Sequence, residues 1–139
     1  MNEAASEVLF QLCSENPREL VRLSADLPAR GEEGVLLYLS RQDRMLLSGE
    51  VTAASRLSTG RVANILRQLE EKGQILRVSD RRDKRRVYVS LTPEGRRQAE
   101  RLRQAAVARI EGLTAYLGAE DSDTLFRLFS RCLDYYRQE

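Results

Sequence analysis

The chain has 139 residues, enough for one ordinary domain with a real core and little room for a second. Its 23 Lys+Arg and 21 Asp+Glu leave a net charge of only +2; with no histidine, a Ser/His or Cys/His catalytic arrangement cannot be built and zinc loses its commonest nitrogen ligand. Cys13 and Cys132 stand too far apart for a disulfide framework or a zinc finger, and the longest aliphatic or aromatic run, Val35 to Leu39, is too short for a bilayer. The opening MNEAASEV carries acids where a signal peptide needs basic residues, so the expectation is a cytoplasmic protein that is not an enzyme and needs no cofactor or metal.

In chain order, Asn2 to Cys13 and Pro17 to Ala25 read as helices, with Asn16-Pro17 as N-cap and first helical position. Asp26-Leu27-Pro28 breaks the pattern. Gly31 to Ser40 gathers Val35, Leu36, Leu37 and Leu39 in a short buried helix, followed by the polar turn RQDR. Ser48 is a candidate N-cap for a very short helix through Ala54. Ser58 then caps a longer helix in which Val62, Ile65, Leu66 and Leu69 share one face, and Gly73 supplies a left-handed stop. The opposite face carries Thr59, Gly60, Arg61, Asn64 and Arg67. A short helix, a tight turn and a longer helix with a small, polar and basic outer face make a helix-turn-helix, whose second helix enters the major groove.

After Gly73 the period changes from helical to two. Ile75 to Val78 reads as one strand, Val87 to Leu91 as a second, and SDRRDKRR between them as a basic hairpin tip. Thr92-Pro93-Glu94 opens a long helix with Ala99, Leu102, Ala106, Ile110, Leu113 and Leu117 spaced by threes and fours. Gly118 breaks it, and Asp121 or Ser122 starts a last helix crowded with Leu125, Phe126, Leu128, Phe129, Cys132, Leu133 and Tyr136. Between Arg56 and Arg86 ten basic residues face four acidic ones, a surplus of +6 that leaves −4 for the rest of the chain. A segregated positive block in a nearly neutral protein marks a nucleic-acid-binding face.

GEEGVLLYLS, LSTGRVANILRQLEEKG and the stretch Asp83-Lys84-Arg85-Arg86-Val87-Tyr88-Val89-Ser90-Leu91-Thr92 together resemble the MarR family of bacterial transcription regulators. The family's wing signature of Asp, any residue, Arg, five residues and Leu-Thr fits without a gap. The resemblance covers roughly Gly31 onward. It implies a mostly α fold with a small β-hairpin wing, a winged helix-turn-helix at 31–95 and a helical dimerisation region at 1–30 and 96–139, all in a single domain. It further implies a homodimer with double-stranded DNA as partner, acting as a regulator of repressor type on a pseudo-palindromic site, either constitutively or in response to a small-molecule effector; the residues disclose neither whether there is an effector nor its identity.

Carried over by position, Ser58, Thr59, Arg61, Asn64 and Arg67 match recognition-helix positions that face DNA, and Arg85 matches the wing arginine of the minor groove. Asp83 matches a residue that orients Arg85 from across the wing, while Arg81, Arg82, Lys84 and Arg86 would add phosphate contacts. The sequence departs from the family at Ser55, where a core leucine is usual, at Leu47, where Thr or Ser is usual, and at Gly60 inside the recognition helix. Two other readings compete: a winged-helix protein-interaction module without DNA, and a thiol-based redox sensor working through Cys13. Cys13, among Val8, Leu9 and Leu12 and with no histidine to activate it, reads better as an inert, semi-buried thiol; Cys132, on an apolar helix face, reads the same way.

Overall fold

The computed structural model describes residues 3–26 and 31–138, and the chain forms two compact units, residues 1–104 and 105–139. The first unit begins with α1 (Glu3–Glu15) and α2 (Pro17–Asp26), joined at Asn16. The backbone carbonyl of Asn16 accepts from Leu20 N at 3.1 Å, so α2 starts where Asn-Pro places it. Its side chain does something else: Asn16 Nδ2 donates to Leu12 O at 2.8 Å. The last carbonyls of α1 have no partner within their own helix, and the Asn16 amide N–H satisfies one of them, so this side chain closes α1. Of the break expected at Asp26-Leu27-Pro28, Leu27 and Pro28 lie outside the described residues.

The core belongs to the elements that follow, namely α3 (Gly31–Ser40), β1 (Leu46–Leu47), α4 (Ser48–Ser55), α5 (Thr59–Glu71), β2 (Ile75–Ser79), β3 (Val87–Leu91) and the start of α6 (Pro93–Arg137). Val35, Leu36 and Leu39 of α3, Leu46, Val51 of α4, the four-residue stripe Val62, Ile65, Leu66 and Leu69 of α5, Ile75 and Val89 form one buried cluster, with Tyr38, Leu57, Leu91 and Leu102 packed at its margin. The sheet is antiparallel with order β1-β3-β2, so β3 is central and pairs Val89 with Leu46 on one side and Arg77 on the other. These elements are a winged helix-turn-helix. β1 is absent from the sequence reading because two residues carry no period, and it exists only because β3 offers it an edge.

The start of α4 also departs from expectation. Ser48 is the first helical residue and Leu47 holds the N-cap position, with extended φ/ψ of −68° and 143°. Leucine has no side-chain acceptor, and the carboxylate of Glu50 takes the Leu47 N–H at 2.8 Å instead. Arg44 reaches the same carboxylate with both terminal nitrogens, at 2.7 and 3.2 Å, and one of them also donates to Met45 O at 3.1 Å. The Arg44 guanidinium, with the Leu47 N–H second, lowers Glu50 from its ordinary 4.5 to about 2.

At the other end of the wing, Thr92 and Gly95 tie α6 to the turn after α5. Thr92 Oγ1 donates to Gly73 O at 2.6 Å and accepts from Gly95 N at 3.0 Å, while Thr92 N donates to Gln74 O at 3.1 Å. Gly95 lies so close to Gln74 that a Cβ there would stand 1.9 Å from Gln74 O, which is why this position has no side chain.

In the second unit, helix continues on either side of Gly118, whose φ of 80° and ψ of 174° interrupt it where the sequence places the break. The helix resumes directly after this glycine and does not wait for Asp121 or Ser122. Ser122 is buried, and its hydroxyl donates to Thr114 O at 3.3 Å across the interruption, so it caps the segment before the break and not the one after. Leu125, Phe126, Leu128, Phe129 and Leu133 leave large apolar surfaces exposed, as do Val8, Leu9, Phe10 and Leu12 of α1 in the first unit. Among the described residues no helix is long and apolar enough to cross a membrane.

Candidate nucleic-acid interface

Two surfaces of the first unit carry the residues singled out from sequence. On α5, the stripe Val62, Ile65, Leu66 and Leu69 is fully committed to the core, so the far side of the same helix is held in solvent. Ser58, Thr59, Gly60, Arg61, Asn64 and Arg67 are all exposed there. The helix begins as the sequence implies: Ser58 is the N-cap, and its Oγ accepts from Arg61 N at 3.2 Å. It ends with Gly73 at φ 69°, the left-handed residue expected after it. Arg56, at φ 55°, makes the tight turn from α4 to α5.

The second surface is the tip between β2 and β3, where Arg81, Arg82, Asp83, Lys84, Arg85 and Arg86 are all exposed. Its backbone closes through Asp80 N to Arg86 O at 2.8 Å and Arg86 N to Asp83 O at 2.9 Å. Asp80 Oδ1 accepts from the backbone of Arg82 at 2.7 Å and of Asp83 at 3.1 Å, and these two donors, the Arg82 N–H first, hold its carboxyl below the ordinary range. Asp83 Oδ1 in turn accepts from Arg85 N at 3.0 Å. Asp83 therefore holds Arg85 by its backbone, from two residues away, and the contact is local to the tip. Sequence reading passed over Asp80 because its partners are main-chain groups; an Asp three residues before another in a turn is the signal that was available.

The electrostatics sort the basic block into two groups. Arg67 donates to Glu71 Oε1 at 2.7 Å and to Asn64 Oδ1 at 2.7 Å, Arg77 pairs with Glu70 at 2.6 Å, and Lys72 pairs with Glu32. Of the block's four acids, Glu70 and Glu71 are thus engaged by arginines and Asp80 and Asp83 by backbone N–H groups. Among the described residues, Arg56, Arg61, Arg81, Arg82, Lys84, Arg85 and Arg86 form no ion pair, and five of these seven are in the tip. Five cations on one exposed loop, none of them in an ion pair, concentrate the positive charge that a polyanion displaces solvent ions to reach.

Ser55 donates its hydroxyl to Thr52 O at 3.0 Å and accepts from Leu57 N at 3.3 Å. It lines, with Val35, Tyr38, Val51, Ala54 and Leu57, an open cleft of about 520 Å³ between α3 and α4. Cys13 is exposed, not semi-buried, because the described side chains of α1 all face solvent; Cys132 is exposed as well.

The chain is similar to wild-type MarR of E. coli at 27% identity, over 73% of this chain and 75% of that one, with a TM-score of 0.65. The chain has the MarR-family fold. No family model matches the sequence. Streptococcus pneumoniae FabT, solved in complex with DNA, superposes over 96% of this chain and 98% of its own with a TM-score of 0.69, at 19% identity. A candidate transcriptional regulatory protein for the hcr operon of Thauera aromatica is 30% identical over 94 residues, 68% of this chain. The chain spans about half the length of that relative, 55%.

Proposed function

We propose that the protein is a DNA-binding transcription regulator of repressor type that grips a pseudo-palindromic duplex site as a homodimer. The observation that carries this is the pairing of an α5 outer face held in solvent by its buried stripe with a wing tip whose five cations are exposed and form no ion pair among the described residues. A protein of this fold has been solved in complex with DNA, which supports the same reading.

In this reading Arg61 and Asn64 read base edges in the major groove, where Arg bonds guanine O6 and N7 and Asn bonds adenine N6 and N7. Ser58 and Thr59, at the start of α5, meet a phosphate. Arg67, tied to Glu71 and Asn64, supports Asn64 as much as it touches DNA. Arg85 enters the minor groove, and Arg81, Arg82, Lys84 and Arg86 contact phosphates. A second copy of the chain covers the apolar faces of α1 and of residues 105–139, which expose more large apolar side chains than a monomer leaves in water. Two recognition helices then sit about 10 bp apart, in successive major grooves. An effector acts by changing that separation, and the cleft beside Ser55 is of a size that admits a small molecule.

Selection of bound sequences from random DNA with the purified protein tests partner, symmetry and spacing together. Arg85→Ala should weaken binding to the selected site about tenfold and reduce its salt dependence. A protein-interaction module would show neither effect and would select no sequence. The exposure of Cys13 keeps a thiol-sensing reading in play; Cys13→Ser that still releases DNA on peroxide treatment, as the unmodified protein does, removes it.

A further inference from the structure

Five cations at the wing tip share their loop with two acids, Asp80 and Asp83. On a surface built to attract an anion, each carboxylate subtracts from the attraction, so it needs a compensating role. We propose that Asp80 is the positioning residue of the wing: by gathering the N–H groups of Arg82 and Asp83, it sets the one loop conformation in which the tip cations are presented together. The inference rests on the DNA-binding reading and adds to it the residue that organises the contact.

Every side chain from Arg81 to Arg86 is exposed, so no apolar anchor orders the tip and its polar contacts must, chiefly its hydrogen bonds, with a charge attraction between Arg86 and Asp80 beside them. Those bonds are nested. Asp80 Oδ1 fixes the backbone at Arg82 and Asp83, at 2.7 and 3.1 Å. Asp83, once placed, takes Arg85 N on its side chain at 3.0 Å and Arg86 N on its carbonyl at 2.9 Å. Four of the tip's N–H groups are thus held, two by Asp80 directly and two through the residue it positions. Its lowered carboxyl, held by the same two donors, is the electrostatic counterpart of that geometry. Asp80 is itself half-buried at the neck of the loop, off the exposed tip.

Electrostatics and positioning predict opposite signs. Removing a negative charge from a cationic loop should tighten DNA binding if charge is all that matters. If Asp80 positions the tip, Asp80→Ala should weaken binding in spite of the charge gained, whereas Asp80→Asn, with the same charge as the alanine variant but one oxygen left to accept, should not. The full-length protein and both variants are titrated over a range of salt against a duplex bearing the site that the unmodified protein selects. Amide hydrogen exchange at Arg82, Asp83 and Arg85 is followed without DNA. The expected result is that Asp80→Ala loses at least tenfold in affinity, has a shallower salt dependence by about two ions per wing, and exchanges all three amides faster, while Asp80→Asn stays within about threefold of the parent. Tighter binding by Asp80→Ala, equal loss in both variants, or unchanged exchange at the three amides overturns the proposal. If the unmodified protein selects no DNA, the functional reading fails by itself, and the exchange measurement still decides whether Asp80 orders the tip.

Discussion

Replacing Gly95 with alanine adds one methyl group, and the structure says where it goes. The new Cβ would lie 1.9 Å from Gln74 O, 2.9 Å from Gln74 C and 3.0 Å from Leu91 Cδ2. The leucine methyl can swing away; the carbonyl cannot, because Gln74 accepts from Thr92 N at 3.1 Å and donates to Leu69 O at 2.9 Å. To reach even 3.0 Å, the start of α6 and the Gln74 turn must part by about 1.1 Å, which stretches the Thr92 bonds to Gly73 and Gln74. Overpacking of this kind costs about 1–3 kcal/mol, and a weakened hydrogen bond adds about 1 kcal/mol. Against this stands a gain of about 0.5–1 kcal/mol from alanine's helix propensity. The net expectation is a loss of about 2 kcal/mol, read as a lower urea midpoint at unchanged slope. A variant within about 0.5 kcal/mol of the parent would show that the junction is pliable and that the reasoning from close approach is wrong.

The same substitution at Gly60 should have the opposite sign, since a Cβ there meets nothing within 4 Å and the residue lies in the first turn of α5. Gly60→Ala should stabilise the fold by about 0.5 kcal/mol in urea, yet weaken binding to selected DNA severalfold if the bare backbone is what approaches the duplex. Glu50 is lowered to about 2 from 4.5, so its contribution is present above pH 4.5 and fades as the pH falls towards 2. Thermal unfolding should therefore find Glu50→Gln less stable than the parent at neutral pH, with the gap closing across that window; a constant gap would assign the effect to something other than the Arg44 and Leu47 contacts.

The parts of this protein that were legible in the sequence are those where neighbours along the chain set the outcome. The α5 stripe from Val62 to Leu69, the Ser58 cap, the Gly73 stop, the two wing strands and the Gly118 break all follow from period and local backbone chemistry, and the structure has each of them. The cationic tip was visible for the same reason, as consecutive residues of one sign. What tertiary structure alone decided are the pairings between groups that are distant or chemically unremarkable in sequence. Strand β1 needs the edge of β3, the Leu47 cap is supplied by Glu50 under Arg44, Gly95 is required by Gln74 O, and Cys13 faces solvent because α1 leaves its side chains uncovered within the chain. Asp80 stands between the two: its partners are main-chain N–H groups that every residue but proline possesses, but they lie only two and three residues on, a turn pattern that its spacing to Asp83 signals. A periodic pattern or a local cap is written in neighbouring side chains and can be read from them; a contact between groups far apart along the chain is specified only by where the chain has been folded to bring them.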